Sequence, residues 1–297
     1  MLCACIDIGS NTTRLLVAEP DDGRLREVLQ QRAFTRIGRD LKADGRIGPE
    51  KLAEVAGVVA TQRRLADELG AQSIRAVATA AIRDSANHAE LIAAVREQSG
   101  IDVTVLSTEE EARLAFVGAT KMIGHPVEGD IGVVDVGGGS SELVVGTLRD
   151  GVSWTASFRI GSGFLADAYL HSDPPGIAEL HALREHIRGV FDGLRAPQPD
   201  HAVAVGGSAT SLRRLIGAVL EHETLERAVR VLASTPIAEV ARRFELDPER
   251  VRLLPAGILI LEAASDCLGR PLQIGRGGLR EGVILELIAG RDIRSAA

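Results

Sequence analysis

Three glycine turns, each directly behind an apolar run, are where this sequence could do chemistry. They read CIDIGSNTTRLLV, VVDVGGGSSELVV and AVAVGGSAT. An apolar strand that stops in a glycine turn presents successive backbone N–H groups, and such a concavity binds anions. An aspartate at the strand's end adds a ligand for a hard cation beside the anion. Asp7, Gly9, Ser10, Asn11 and Thr12 supply these parts in the first turn. Asp135, Gly137, Gly138, Gly139, Ser140 and Ser141 supply them in the second. Gly206, Gly207 and Ser208 form the third, which leads into a helix. One such turn is an ordinary tight turn; three, two of them carrying aspartate, suit the gripping of phosphate.

The elements that must position these turns follow from apolar spacing. CACIDIG, TRLLVAE and LREVLQQRAF read as adjacent strands punctuated by Gly and Asp-Gly. From Pro49 to Leu69 the period becomes helical. The strand SIRAVAT, a helix over 86–98, the strand DVTVL and a helix from Thr108 to Lys121 follow. MIGHPVEGD has the composition of a linker, and beyond it strand, aspartate, glycine turn, strand and third strand recur. The repeat predicts two similar α/β domains, residues 1–124 and 125–297, whose glycine turns face a shared cleft.

Composition narrows the class. The chain has 297 residues and a net charge of −7, so it is not a general binder of nucleic acid. No apolar run approaches the roughly 18 residues of a membrane span, and the opening MLCACIDIGS lacks the basic start of a signal peptide. The expected location is the cytoplasm. Cys3, Cys5 and Cys267 have no metal spacing, and the seven histidines are scattered.

Taken together and in order, DIGSNTTRLLV, TAAIRDSAN, TEEEARLAF, VVDVGGGSSELVVG, AVGGSATSL and GGLREGVI resemble the exopolyphosphatase / guanosine-pentaphosphate phosphohydrolase family. The resemblance covers residues 4 to 288 and implies two actin-like domains. These are of the ribonuclease H-like kind shared by sugar kinases and heat-shock ATPases. It implies a short member with no helical C-terminal extension. It also implies that Glu111 of TEEEAR orients or deprotonates the attacking water. By pattern alone, Thr108-x-x-Glu111 is a capping box that satisfies a helix start; a helix start at the site could do both. Arg83 of TAAIR is implied in the phosphate site, and its guanidinium suits bidentate phosphate bonding. Ser10, Asn11, Thr12, Gly137, Gly138, Gly139, Ser140, Gly207 and Ser208 would hold phosphate through the turns. Asp7, Asp135 and Glu142 are implied as Mg²⁺ ligands, with Mn²⁺ an admissible substitute. Arg14 and Arg36 are weaker phosphate candidates, and Arg280 with Glu281 reads as an internal pair holding the last helix.

The expected activity is hydrolysis of the terminal phosphoanhydride of inorganic polyphosphate, with short chains favoured because the extension is absent. Guanosine pentaphosphate presents a similar anhydride and is the alternative substrate. An ATP-dependent kinase and a sensor that binds polyphosphate or alarmone without turnover are the alternatives from other classes. The expected partners are these phosphates alone, with neither nucleic acid nor membrane, and a homodimer is allowed.

Overall fold

The computed structural model describes residues 1–41 and 44–295. The chain forms two compact units: Met1–Gly124 with Gly277–Ala297, and His125–Arg276.

The first unit opens with β1 (Cys3–Ile8), β2 (Thr13–Asp21) and β3 (Arg24–Ala33), joined by tight turns. There follow α1 (Pro49–Glu68), β4 (Ser73–Ala78), α2 (Ala80–Arg83), α3 (His88–Ser99), β5 (Val103–Val105) and α4 (Thr108–Lys121). The sheet order is β3-β2-β1-β4-β5; β1 runs antiparallel to β2 and parallel to β4, which is parallel to β5. Alternation sorts the apolar residues onto two faces. Ile6, Ile8, Leu15 and Val17 meet Val55, Ala56 and Val59 of α1, a helix started by Pro49 in its first turn. Each such side chain contributes about 1.5–3 kcal/mol when fully buried. Cys3, Cys5, Leu16 and Ala18 form the other face.

The second unit contains β6 (Ile131–Val136), β7 (Ser141–Thr147), β8 (Gly151–Phe158), α5 (Ser162–Tyr169), α6 (Ile177–Phe191) and β9 (His201–Val205). It continues through α7 (Gly206–Ile216), β10 (Val219–Leu220), α8 (His222–Ser234), α9 (Ile237–Phe244), α10 (Pro248–Leu268) and β11 (Leu272–Ile274). Its sheet, read from the other edge, is β8-β7-β6-β9-β11-β10. The first four strands repeat the pairing of β3-β2-β1-β4, with β6 antiparallel to β7 and parallel to β9. Even an irregularity recurs: the register slips between Val17 and Ala18 in one unit and between Val145 and Gly146 in the other. α10 is the spine of this unit, with most of its length buried among α5, α6, α7, α8 and α9.

The last helix, α11 (Leu279–Ser295), packs on α4 and β1. The sequence reading gave residues 277–297 to the second domain; they belong with the first. The physical reason is a shared apolar face: Leu279, Val283 and Ile284 fill the cluster built by Cys3, Cys5 and Leu114. Gly118 and Gly282 let the two backbones approach so closely that a methyl on either would strike the facing chain. Residues 296 and 297, assigned to that same second domain, lie outside the described residues.

Candidate functional site

In the first unit the parallel strands β1, β4 and β5 end level with one another, Ile8 opposite Ala78 and Ala78 opposite Val105. Ligands of α/β sheets bind at such carboxyl ends, where loops carry polar groups beyond the apolar strands. The three loops here bring the first glycine turn, Arg83 and Glu111.

The turn closes with Gly9 N–H donating to Thr12 O at 3.0 Å. Its other carbonyls are held from the segment after β3: Gly38 N–H donates to Ser10 O at 2.8 Å and Arg36 N–H to Asn11 O at 3.0 Å. In a trans peptide the N–H points opposite to the C=O. The amides of Asn11 and Thr12 are therefore turned away from that brace. Arg14 Nε donates to the Thr12 hydroxyl at 3.0 Å and so braces the turn.

Asp7 lies directly across from Arg14 on β2. Its Oδ1 is buried and carries no hydrogen bond among the described residues. Burial raises the carboxyl above its ordinary value; Arg14 and Arg280 pull it down, and Glu281 pushes it up. Arg280 and Glu281 thus add charge beside Asp7, besides any role in holding α11.

Arg83 closes the single turn α2, with Asp84 as its C-cap. The N-cap of α3 is Asn87, and its side chain is spent on both backbone groups of Ile47. One Arg83 nitrogen, Nη1, donates at 2.9 Å to the Leu106 carbonyl and at 2.9 Å to Glu111 Oε2. Glu111 is 8 % exposed. The capping box is Ser107 with Glu110, each side chain bonding the other's backbone N–H, and not Thr108 with Glu111. With its helix start satisfied one residue earlier, Glu111 is released for its pair with Arg83. Glu109 is held below the usual carboxylate range by hydrogen bonds from its own N–H and from Ser107, with Arg83 adding to the effect.

The second unit reproduces the turn with different side chains. Gly137 N–H donates to Ser140 O at 3.0 Å. Ser162 N–H bonds Gly137 O at 2.9 Å, and Gly163 and Phe164 N–H bond Gly138 O at 3.0 and 2.9 Å. The start of α5 therefore caps the turn's carbonyls, and the amides of Gly138 and Gly139 point the other way. Gly161 sits so close beneath the Gly138–Gly139 peptide that any side chain would collide with it. Ser140 is buried, and the neighbouring Ser141 hydroxyl is bonded to Ile160 O at 2.6 Å.

Asp135 on β6 lies directly across from Glu142 on β7, and Glu142 directly across from Ser157 on β8. Glu142 is 4 % exposed, so it is no solvent-facing strand residue, and Ser157 Oγ donates to its Oε1 at 3.3 Å. The third turn abuts this pair: Gly206 has φ +84, and a side chain there would overlap Asp135 Oδ1. Gly207 and Ser208 open α7. The Ser208 side chain is buried against Gly257 of α10, so this residue can offer phosphate only its backbone.

Among the described residues no group of three or more His, Cys, Asp or Glu side chains is placed to hold a metal. Mg²⁺ asks for less: it takes one or two carboxylates, keeps waters and adds substrate phosphates. Asp135 and Glu142, facing each other on adjacent strands, are two carboxylates of the kind such an ion takes. Asp7, with its orphaned Oδ1, is another in the first unit. The donors present are all oxygen and fit the ion.

Sequence reasoning missed the two braces. The first lies in the tripeptide Arg36-Ile37-Gly38 after β3, and the second directly follows the same tripeptide, Arg159-Ile160-Gly161, after β8. Extending the repeat past the third strand would have found them. It also missed Ser107 and Ser157, for which a serine in a strand or before a helix gives no distinctive signal.

Two mixed α/β units built on the same strand order, with glycine turns at the carboxyl ends of their parallel strands, define a protein of the actin-like fold. The profile of the Ppx/GppA phosphatase family matches residues 16–290, and the chain belongs to that family of hydrolases. The Ppx/GppA protein of Aquifex aeolicus superposes with a TM-score of 0.82 at 29 % identity, over 98 % of both chains. A Cytophaga hutchinsonii exopolyphosphatase gives a TM-score of 0.86 at 21 % identity, again over 98 % of both, and shows the fold. Exopolyphosphatase 1 of Mycobacterium tuberculosis is 27 % identical over 303 residues, 96 % of this chain and 88 % of its own. Among the described residues no helix is long and apolar enough to cross a membrane.

Proposed function

We propose that the chain is an exopolyphosphatase that removes the terminal phosphate of inorganic polyphosphate. The observation that carries this reading is the Arg83–Glu111 pair at 2.9 Å, set at the strand ends that also bear the first glycine turn. The amides of Asn11 and Thr12, and in the second unit those of Gly138, Gly139 and Gly207, are the donors for phosphate oxygens. Arg83 spends only Nη1 on the protein among the described residues, so Nε and Nη2 remain for a non-bridging oxygen. As the phosphate draws the guanidinium, Glu111 is left to take a proton from water. The water oxygen bonds to the terminal phosphorus as the P–O bond to the next unit breaks; orthophosphate leaves and the chain is one unit shorter. Asp135 and Glu142 in the second unit, and Asp7 in the first, are the carboxylates that would hold Mg²⁺, which when bound neutralises phosphate charge. The exopolyphosphatase name of the Mycobacterium tuberculosis relative favours polyphosphate as substrate.

The test is orthophosphate release from size-defined polyphosphates, guanosine pentaphosphate and ATP, with and without Mg²⁺. Glu111→Gln keeps the shape and a hydrogen-bond acceptor for Arg83. Release should fall about 10²- to 10⁴-fold, the usual contribution of a general base, while polyphosphate binding persists. Full turnover by the folded variant sinks the assignment. Binding without release by the wild type points to a sensor.

A further inference from the structure

Only three of the chain's 34 basic residues are lysine. One of them, Lys51, stands in the first turn of α1 with its side chain 15 % exposed. Its Nζ donates to the Thr35 carbonyl at 2.9 Å, to Asp40 Oδ2 at 2.8 Å and to Glu54 Oε2 at 2.6 Å. Three oxygens converging on one nitrogen use all three hydrogens of an ammonium, a geometry that the planar guanidinium fork does not offer. Burial works against the charge, but the bonds to Asp40 and Glu54 outweigh it and hold the ammonium above its ordinary value. A cation in the first turn of a helix is disfavoured by the helix dipole, so the gain comes from what it binds.

Thr35 and Asp40 bracket the brace of the first glycine turn. Between them Arg36 keeps a left-handed backbone, φ +48, a conformation that costs about 1–3 kcal/mol in a residue with a side chain. It aims the Arg36 N–H at Asn11 O and, two residues on, the Gly38 N–H at Ser10 O. Those carbonyls share peptide planes with the amides of Thr12 and Asn11, so the brace sets where the two amides point. A strained segment keeps its shape only where its surroundings fix it. Before Arg36, the Thr35 hydroxyl meets that of Thr13 at 3.0 Å and its carbonyl takes the Lys51 bond. After it, the Asp40 N–H bonds Arg36 O at 3.3 Å and Ile37 O at 3.2 Å, and its carboxylate returns to Lys51. One ammonium thus closes the segment from both sides. The same segment runs on to Leu41, paired with Ile47, whose backbone Asn87 holds four residues after Arg83.

We propose that Lys51 is a positioning residue for phosphate binding: by tying Thr35 to Asp40 it holds the Arg36–Gly38 brace, and through it the Asn11 and Thr12 amides, in the gripping geometry. This role rests on the reading of the first glycine turn as a phosphate grip. Glu54 has no share in it, because its bond ties Lys51 only to its own helix, three residues on.

The experiment compares wild type with Lys51→Met, Asp40→Asn and Glu54→Gln, each well below its melting temperature. Tripolyphosphate affinity is read calorimetrically without metal, kcat and KM for release of orthophosphate from it with Mg²⁺, and the brace by hydrogen exchange of the Arg36 and Gly38 amides. In Lys51→Met both amides should exchange about 10-fold faster. Tripolyphosphate affinity should fall and KM rise about 10-fold, less than the roughly 100-fold that an ångström of misplacement costs. The amides grip the phosphate before and during transfer alike, so kcat should stay within about twofold. Asp40→Asn keeps a hydrogen bond to the ammonium and should lose about threefold in affinity. Glu54→Gln, which discharges the nearest partner, should lose nothing. A merely stabilising ion pair would make Lys51→Met and Glu54→Gln alike, and equal behaviour of the two overturns the positioning role. So does faster exchange at unchanged affinity, or a fall in kcat at unchanged KM. Wild type that binds no tripolyphosphate overturns the grip and this role together. Absence of orthophosphate release from wild type, with the binding losses as described, overturns the hydrolase reading and leaves the role of Lys51 standing.

Discussion

Asp7 and Asp135 hold equivalent places in the two units, before turns closed by the same backbone hydrogen bond. Across the sheet Asp7 meets Arg14 and then Arg32, whereas Asp135 meets Glu142 and then Ser157. One backbone plan thus carries a cationic row in the first unit and an anionic one in the second. The braces differ as well. The first turn rests on the loop segment Arg36–Gly38, the second on the start of α5 packed hard beneath it. What the repeat conserves is the hydrogen-bonded frame; what it varies is the charge set on it.

The braces give the sharpest way to break this comparison. Gly161→Ala drives a methyl into the Gly138–Gly139 peptide and should destabilise the protein by about 3 kcal/mol, the upper range of overpacking. A methyl at Gly38 meets the Ser10 Cβ at 3.4 Å, an ordinary contact, so Gly38→Ala should stay within about 0.5 kcal/mol. Urea melts of the two variants decide it, and equal losses would mean the braces are equivalent after all.

A smaller effect is expected at the anionic row. Glu142→Gln removes one of two facing carboxylates and should raise the Mg²⁺ concentration for half-maximal phosphate release about tenfold, or about 1.4 kcal/mol. A lower melting temperature with unchanged Mg²⁺ response would make Glu142 structural.

The smallest effect is expected at Asp7. Burial raises its carboxyl in the folded state, so its contribution is most favourable at low pH and is lost as pH rises through the folded value. Asp7→Asn should therefore raise the Tm of metal-free protein at pH 7 by about 2 °C. The gain should shrink in acid as wild-type Asp7 takes up its proton. A gain that ignores pH would point to packing instead.

Much of this was legible in the sequence because the turns repeat with their flanking strands intact, and because TAAIR and TEEEAR each mark a loop at a strand end. The structure joins Arg83 to Glu111, residues that no local pattern links. The helix start shows why local patterns fall short. Ser107-x-x-Glu110 and Thr108-x-x-Glu111 are equally good capping boxes on paper, and the demand of Arg83 for a carboxylate decides between them. The place of α11 was not legible either. An amphipathic helix shows which face it will bury but not on what, and its partner α4 lies a whole unit earlier in the chain.

The chain leaves the first unit at Gly124 and re-enters it at Gly277, which has a consequence during synthesis. While the ribosome makes the second unit, β1 and α4 wait without their covering helix, and Leu114 and Cys5 have no lid of Val283 and Ile284 over them. Domains generally fold as units, in the order in which they emerge, but here the earlier half is the later to finish. A nascent chain arrested short of Leu279 therefore shows quality-control factors a bare apolar face, and the helix bearing Glu111 is docked only once translation has passed that point.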